Sequence, residues 1–124
     1  MSPLEWVLVG LAGAVGAPAR YLVDTAVSRR RGRSLPIGTL VVNVSGALLL
    51  GLLAGMVMYH GMGSYPKVVL GTGLVGAYTT FSTFSFETLA LLQDGDPAGA
   101  VSNVALNLVV GGIAAAAGLT LAAI

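Results

Sequence analysis

Three asparagines and one seven-residue run hold most of the chemistry in this sequence. Residues 79–85 read Thr-Thr-Phe-Ser-Thr-Phe-Ser, five hydroxyls and two phenylalanines in succession. On a helix, Thr39 and Asn43 share a face because they are four apart, and Asn103, Asn107 and Gly111 form a stripe by the same spacing. Phe81 and Phe84 are three apart. Carboxamides and hydroxyls are uncharged hydrogen-bond donors, and an aromatic ring carries a positive edge around its negative faces. Together they can replace the water around a small polar solute or anion. They can also let it go, which a fixed Lys would prevent. The plainer role for each Asn, Thr or Ser is a bond to a neighbouring helix, worth about 0.6 kcal/mol in a membrane.

The elements that would position these residues follow from composition. The chain has 124 residues, of which 6 are Lys or Arg and 5 are Asp or Glu. Charged residues make up 9%, hydrophobic types 56%, and mean hydropathy is +0.89. A soluble domain carries about 25% charged residues, so this chain cannot cover its own surface in water. A net charge of +1 gives no basic field for nucleic acid. Cysteine is absent, which excludes disulfides and thiol chemistry. A single His and scattered acids leave no nucleophile–base or metal constellation, so no enzyme is expected.

A bilayer core needs about 20 helical residues, and four segments qualify: 4–27, 38–59, 68–93 and 98–124. The expected architecture is all-α, a single four-helix membrane domain over 1–124 surrounded by lipid. The connections at 28–37, 60–67 and 94–97 are short, polar and rich in Gly and Pro, as turns require. The start, MSPLEW, lacks the basic region of a signal peptide, so the first helix is read as a permanent span. Gly10, Gly13 and Gly16, and the pair Gly51 and Gly55, are read as close-packing positions. Pro18 is expected to bend the first helix.

Depth brings the polar residues together. The second and fourth helices begin, and the third ends, on the face of the Arg29–Arg33 loop. At 1.5 Å per residue, Asn43 and Asn103 lie roughly 8 Å from that face and Asn107 roughly 6 Å deeper. The third helix has its midpoint near Thr80, so Thr80, Phe81, Ser82 and Phe84 fall in the same half of the bilayer. The 79–85 run leaves two readings open. One is a helix break, favoured by adjacent β-branched Thr after Gly. The other is a kinked helix whose hydroxyls bond back to their own carbonyls. A break inside a membrane must be covered by protein or line a wet cavity, and its freed carbonyls and amides can bind ions.

GAVGAPARY in the first helix, GTLVVNVSG in the second and GLVGAYTTFSTFSFE in the third resemble the CrcB or Fluc fluoride channels, and the spacing of Asn103 and Asn107 extends the likeness to the fourth. The resemblance implies four-helix subunits, with the third helix broken at the midplane, paired antiparallel into a dual-topology dimer with two pores. It implies passive export of fluoride across the cell membrane and relief of its toxicity. It also implies a structural sodium ion on the dimer axis, held by backbone carbonyls at Gly76 and Thr79. Phe81 and Phe84 match the aromatic pair of the pores, Asn43 the pore Asn, Asn107 the fourth-helix polar track, and Arg20 and Glu87 a vestibule pair. Asn103 stands where some relatives have Tyr, and Gly76 is followed by Ala77 and Tyr78 where the family often has two adjacent glycines.

Arg20 is a candidate for drawing anions to a pore mouth, and equally for pairing with Asp24 or Glu87 or reaching to the interface. Two other functions share this size. A small multidrug-type antiporter needs a carboxylate deep in the membrane, and no acid stands at the centre of any span. A structural subunit of a larger complex would carry no flux alone. The charge balance bears on pairing. Arg29, Arg30, Arg31 and Arg33 occupy one face and Lys67 the other. The positive-inside rule then places the arginine loop in the cytoplasm. An antiparallel homodimer needs an inverted copy, so this bias favours an oppositely oriented paralogue as partner in the native cell.

Overall fold

The computed structural model describes residues 1–30, without the side chains of Arg29 and Arg30, and 35–124. The arginine loop, Arg31, Arg33 and Ser34 included, lies outside the described residues. Three helices are long and apolar enough to cross a membrane: α1 (Pro3–Arg30, its qualifying part ending at Ser28), α2 (Ile37–His60) and α5 (Pro97–Ala123). The remaining crossing is built from pieces. Its first part, α3, joins Ser64–Pro66, a π-helical stretch Lys67–Val75 and Gly76–Tyr78. Its second part is α4 (Ser82–Gln93).

Local chemistry sets the ends. Ser2 and Glu5 form a reciprocal cap: the Ser2 N–H donates to Glu5 Oε2 at 2.7 Å and the Glu5 N–H to Ser2 Oγ at 3.2 Å. Pro3, at the first helical position, gives up no hydrogen bond there. At α5, Asp96 Oδ1 accepts from the Gly99 N–H at 2.8 Å, again with Pro in the first turn. Gly61 and Gly95 close α2 and α4 with φ of 65° and 77°, a left-handed turn that glycine enters without steric cost. Helix α1 runs three residues past the expected Val27, through Ser28, whose hydroxyl donates to Asp24 one turn back.

Helix α2 packs along α5, α1 along the π-helical part of α3, and α4 on α5. Glycine makes the first two contacts possible. A Cβ at Gly51 would enter the Ala115 backbone, and one at Gly118 the backbone of Leu48 and Leu52. On α1, a Cβ at Gly16 would strike the Leu74 carbonyl, and Gly73 of α3 faces Val9 and Ala12. One expectation needs correction. Gly10 has nothing within 4 Å and takes no part in packing. Gly13 and Gly16 serve the contact of α1 with α3, while Gly51 and Gly55 serve that of α2 with α5.

The burial pattern suits lipid rather than water. The buried hydrophobic side chains are Val42, Val75, Ala100 and Ala122, of modest size, while Leu11, Val15, Leu108 and Ile113 stand open. Apolar chains outside and small or polar ones between helices are what a bilayer selects.

Candidate functional site

The third crossing changes geometry at the hydroxyl run. Helical turns stop at Tyr78, Thr79 is extended at φ −80° and ψ 161°, and α4 starts at Ser82. The backbone breaks, and the Thr79 hydroxyl still bonds back to the Val75 carbonyl at 3.0 Å. Thr80 restarts the helix, its Oγ1 accepting from the Thr83 N–H at 3.2 Å.

Helix α2 holds the break through Asn43, Ser45 and Gly46. The Asn43 side chain grips Thr80 at two points: Oδ1 accepts from the Thr80 N–H at 2.9 Å, and Nδ2 donates to its carbonyl at 2.8 Å. The carboxamide thereby replaces the backbone partners that Thr80 lacks. Ser45 Oγ and the Tyr78 hydroxyl meet at 2.8 Å on the other side of Thr79. Gly46 lies under Thr79, where a Cβ would collide with the threonine methyl. Among the described residues, no hydrogen bond is accepted at the carbonyls of Gly76 or Thr79. The amides that would reach Gly76 are diverted: the Thr79 N–H bonds Val75, and the Thr80 N–H bonds Asn43.

The fourth-helix stripe connects to this grip. Asn43 Nδ2 also donates to Asn107 Oδ1 at 3.3 Å. Asn107 Nδ2 donates to the Asn103 carbonyl at 2.8 Å and to Asn103 Oδ1 at 3.2 Å. Asn103 is 3% exposed, and its Nδ2 donates to Thr88 Oγ1 at 2.8 Å. Thr88 closes the chain by donating to the Phe84 carbonyl at 2.8 Å. Thr88 is not among the residues that the sequence singles out. The signal it offered was its place one turn after Phe84.

The aromatic pair borders the break from outside. Phe81 and Phe84 have ring centroids 5.7 Å apart and planes tilted by 53°. Phe81 is 78% exposed and lines an open groove of about 290 Å³ with Asn43, Gly46, Val75, Thr79 and Thr80. Ser82 is exposed and its hydroxyl lies 3.4 Å from that of Thr80. A separate cavity of about 160 Å³ runs from Arg20, Tyr21 and Asp24 to Thr39, Thr80 and Thr83. Arg20 thus shares a pocket with the break. Glu87 does not line this pocket; its Oε1 and the Thr39 hydroxyl are buried without a hydrogen-bond partner.

This arrangement offers neutral donors, two bare carbonyls and aromatic edges around an interruption in the backbone. No group of three or more His, Cys, Asp or Glu that could ligate a metal occurs among the described residues. Comparison with known proteins agrees in scale. A family model described as CrcB-like protein, Camphor Resistance (CrcB), matches residues 7–119. "Fluoride-specific ion channel FluC 2" of Mycolicibacterium paratuberculosis is 46% identical over 117 residues, covering 94% of this chain and 93% of its own. "Fluoride-specific ion channel FluC 1" of Symbiobacterium thermophilum is 48% identical over 120 residues, covering 95% and 97%. A Shewanella protein named "Fluoride-specific ion channel FluC" is 48% identical over 101 residues, 82% of each chain. Matched along nearly its whole length and built of membrane-length helices, this multi-pass membrane protein belongs to the CrcB family.

Proposed function

We propose that the chain is a fluoride channel that passes the ion down its gradient and so relieves fluoride toxicity. One observation carries the reading: an interrupted backbone gripped by Asn43, next to an exposed Phe81, in a chain whose relatives are named for fluoride. Fluoride is small and strongly hydrated, so a path for it must supply donors in place of water. The carboxamides of Asn43, Asn107 and Asn103, the hydroxyls of Thr80 and Ser82, and the ring edges of Phe81 and Phe84 are of that kind. Arg20, in the pocket that reaches Thr80, attracts the anion to the mouth without holding it further in. With no carboxylate set at the centre of the break, nothing there suits proton-coupled exchange.

The working unit is an antiparallel pair of subunits. Phe81 is exposed at the break, and the carbonyls of Gly76 and Thr79 have no partner there, a combination that calls for cover. Two copies turned end for end would bring four such oxygens together. Backbone oxygen suits a hard cation, and a structural sodium ion held there would place positive charge near the path without titrating. The partner is a second copy or an oppositely inserted paralogue. Four arginines against one lysine favour the paralogue. Equal labelling, from both sides of intact membranes, of a Cys placed at Ser34 would instead show that this chain inserts both ways.

The direct test is fluoride efflux from liposomes containing only this chain, followed with a fluoride electrode. The reading predicts release far faster than from empty liposomes. Equal rates would overturn it.

A further inference from the structure

The side-chain chain from Thr80 to Phe84 has a direction. The Thr80 N–H donates to Asn43, Asn43 to Asn107, Asn107 to Asn103, Asn103 to Thr88, and Thr88 to the Phe84 carbonyl. Every donor points the same way, so each bond polarises the next. A carboxamide nitrogen carries two N–H groups. Both of Asn43 are engaged, on Thr80 and Asn107, and both of Asn107 on Asn103. As arranged, neither residue has a donor left for an anion. Passage of an anion here requires that one be released.

The longest link is the 3.3 Å contact between Asn43 Nδ2 and Asn107 Oδ1. A carboxamide has nearly the same shape with its oxygen and nitrogen exchanged. Turning the Asn107 amide over would aim its nitrogen at Asn43 and its oxygen at Asn103. Asn103 must then turn as well, to donate to Asn107, and its own oxygen faces Thr88. Thr88 accommodates this because a hydroxyl both donates and accepts. It can swing its proton from the Phe84 carbonyl to Asn103 Oδ1. The Asn103 carbonyl loses its side-chain donor and faces the Asn107 oxygen instead, a repulsion that raises the cost of the reversed state.

We propose that Asn43, Asn107 and Asn103 form a reversible amide relay ended by Thr88, and that reversal turns the Asn43–Asn107 contact into a two-donor site for a small hydrogen-bonding anion. The inference rests on the channel reading above and names how its donors are freed. The reversed state loses the Asn107 bond to the Asn103 carbonyl, so it is populated when an anion compensates, as differential binding requires. Thr88 is a positioning residue: it touches no ion and acts through Asn103.

The test compares wild type, Thr88→Val and Thr88→Ser in liposome efflux, and follows side-chain amide ¹⁵N signals during fluoride titration of the wild type. Valine keeps the shape and removes the hydroxyl, so efflux falls by about tenfold, the scale of one strong intramembrane hydrogen bond. Serine restores the hydroxyl and recovers most of the loss. In the wild type, fluoride moves the Asn43, Asn107 and Asn103 signals together, and in Thr88→Val the Asn103 signal stays behind. Full efflux in Thr88→Val would overturn the relay and leave the channel reading standing. So would a fluoride titration that moves the wild-type Asn43 signal alone, which needs no variant to fold. No efflux from wild type would overturn the channel reading and the relay with it.

Discussion

The pair α2 and α5 is held together differently at its two ends. Toward the His60 end, Gly51, Gly55 and Gly118 bring the two helices into close contact, and the His60 ring closes the seam with a 2.6 Å hydrogen bond to the Ala122 carbonyl. Toward the Ile37 end, Asn43 and Asn107 bridge the same helices through a hydrogen bond, and Asn103 extends the network along α5 and on to α4. A glycine seam has one arrangement, because close-packed atoms leave no alternative. An amide network has two, because its oxygens and nitrogens exchange at little steric cost. The contrast separates the part of the molecule that fixes the helices from the part that can answer to an ion.

The largest effect should come from breaking the seam. Gly118→Leu drives a side chain into the backbone of Leu48 and Leu52, and overpacking of this kind costs about 1–3 kcal/mol or more. Expression and gel filtration in detergent should show loss of folded protein. Gly10→Ala is the matched control, since nothing lies within 4 Å of that position. It should leave the melting temperature unchanged or raise it, by at most about 1 kcal/mol of helix propensity.

Next come changes at the polar end, where fold and function should part. Asn43→Ala removes both contacts to Thr80 and the link to Asn107. Fluoride efflux should fall by well over tenfold while the folded protein persists, since single intramembrane hydrogen bonds average about 0.6 kcal/mol. Replacing Phe81 or Phe84 with Ile keeps apolar bulk and removes the positive ring edge. Efflux reduced in either variant, with assembly intact by gel filtration, would support the aromatic role, whereas wild-type efflux in both would remove it.

The smallest effect is expected at Thr79. Its hydroxyl bonds Val75 and its carbonyl is the proposed cation ligand. Thr79→Ser keeps both, so isotope binding of sodium should stay within about twofold. Loss of binding would show that the methyl seated over Gly46, and not the carbonyl alone, shapes the site.

How far the sequence could be read differs along the same line. The spans were legible because uncharged runs of 22 and 27 residues have one use in so short a chain. The sites where glycine is needed were legible by type, but their partners were not. Gly10 and Gly16 look alike in sequence, and only packing shows that one faces open space and the other Leu74. The π-helical stretch Lys67–Val75 gave no sign, since nine residues are too few to tell a wider turn from an ordinary one. Asn43, Thr80, Asn103 and Asn107 were expected near one another from depth and spacing, and hydrogen bonds join them. That their amides bond each other depends on side-chain orientation, which residue type does not encode. For Thr88 the sequence offers only its place one turn after Phe84, too weak a cue in a lone helical Thr to single it out.

The central claim is that fluoride passes beside the carboxamide of Asn43. The most direct measurement is a ¹⁹F–¹⁵N dipolar distance between bound fluoride and the side-chain nitrogen of Asn43, in lipid bilayers. The account predicts hydrogen-bond range, about 3 Å, and loss of the coupling in Asn107→Leu, which removes the second donor. Bound fluoride that shows no coupling to Asn43 Nδ2 would contradict it.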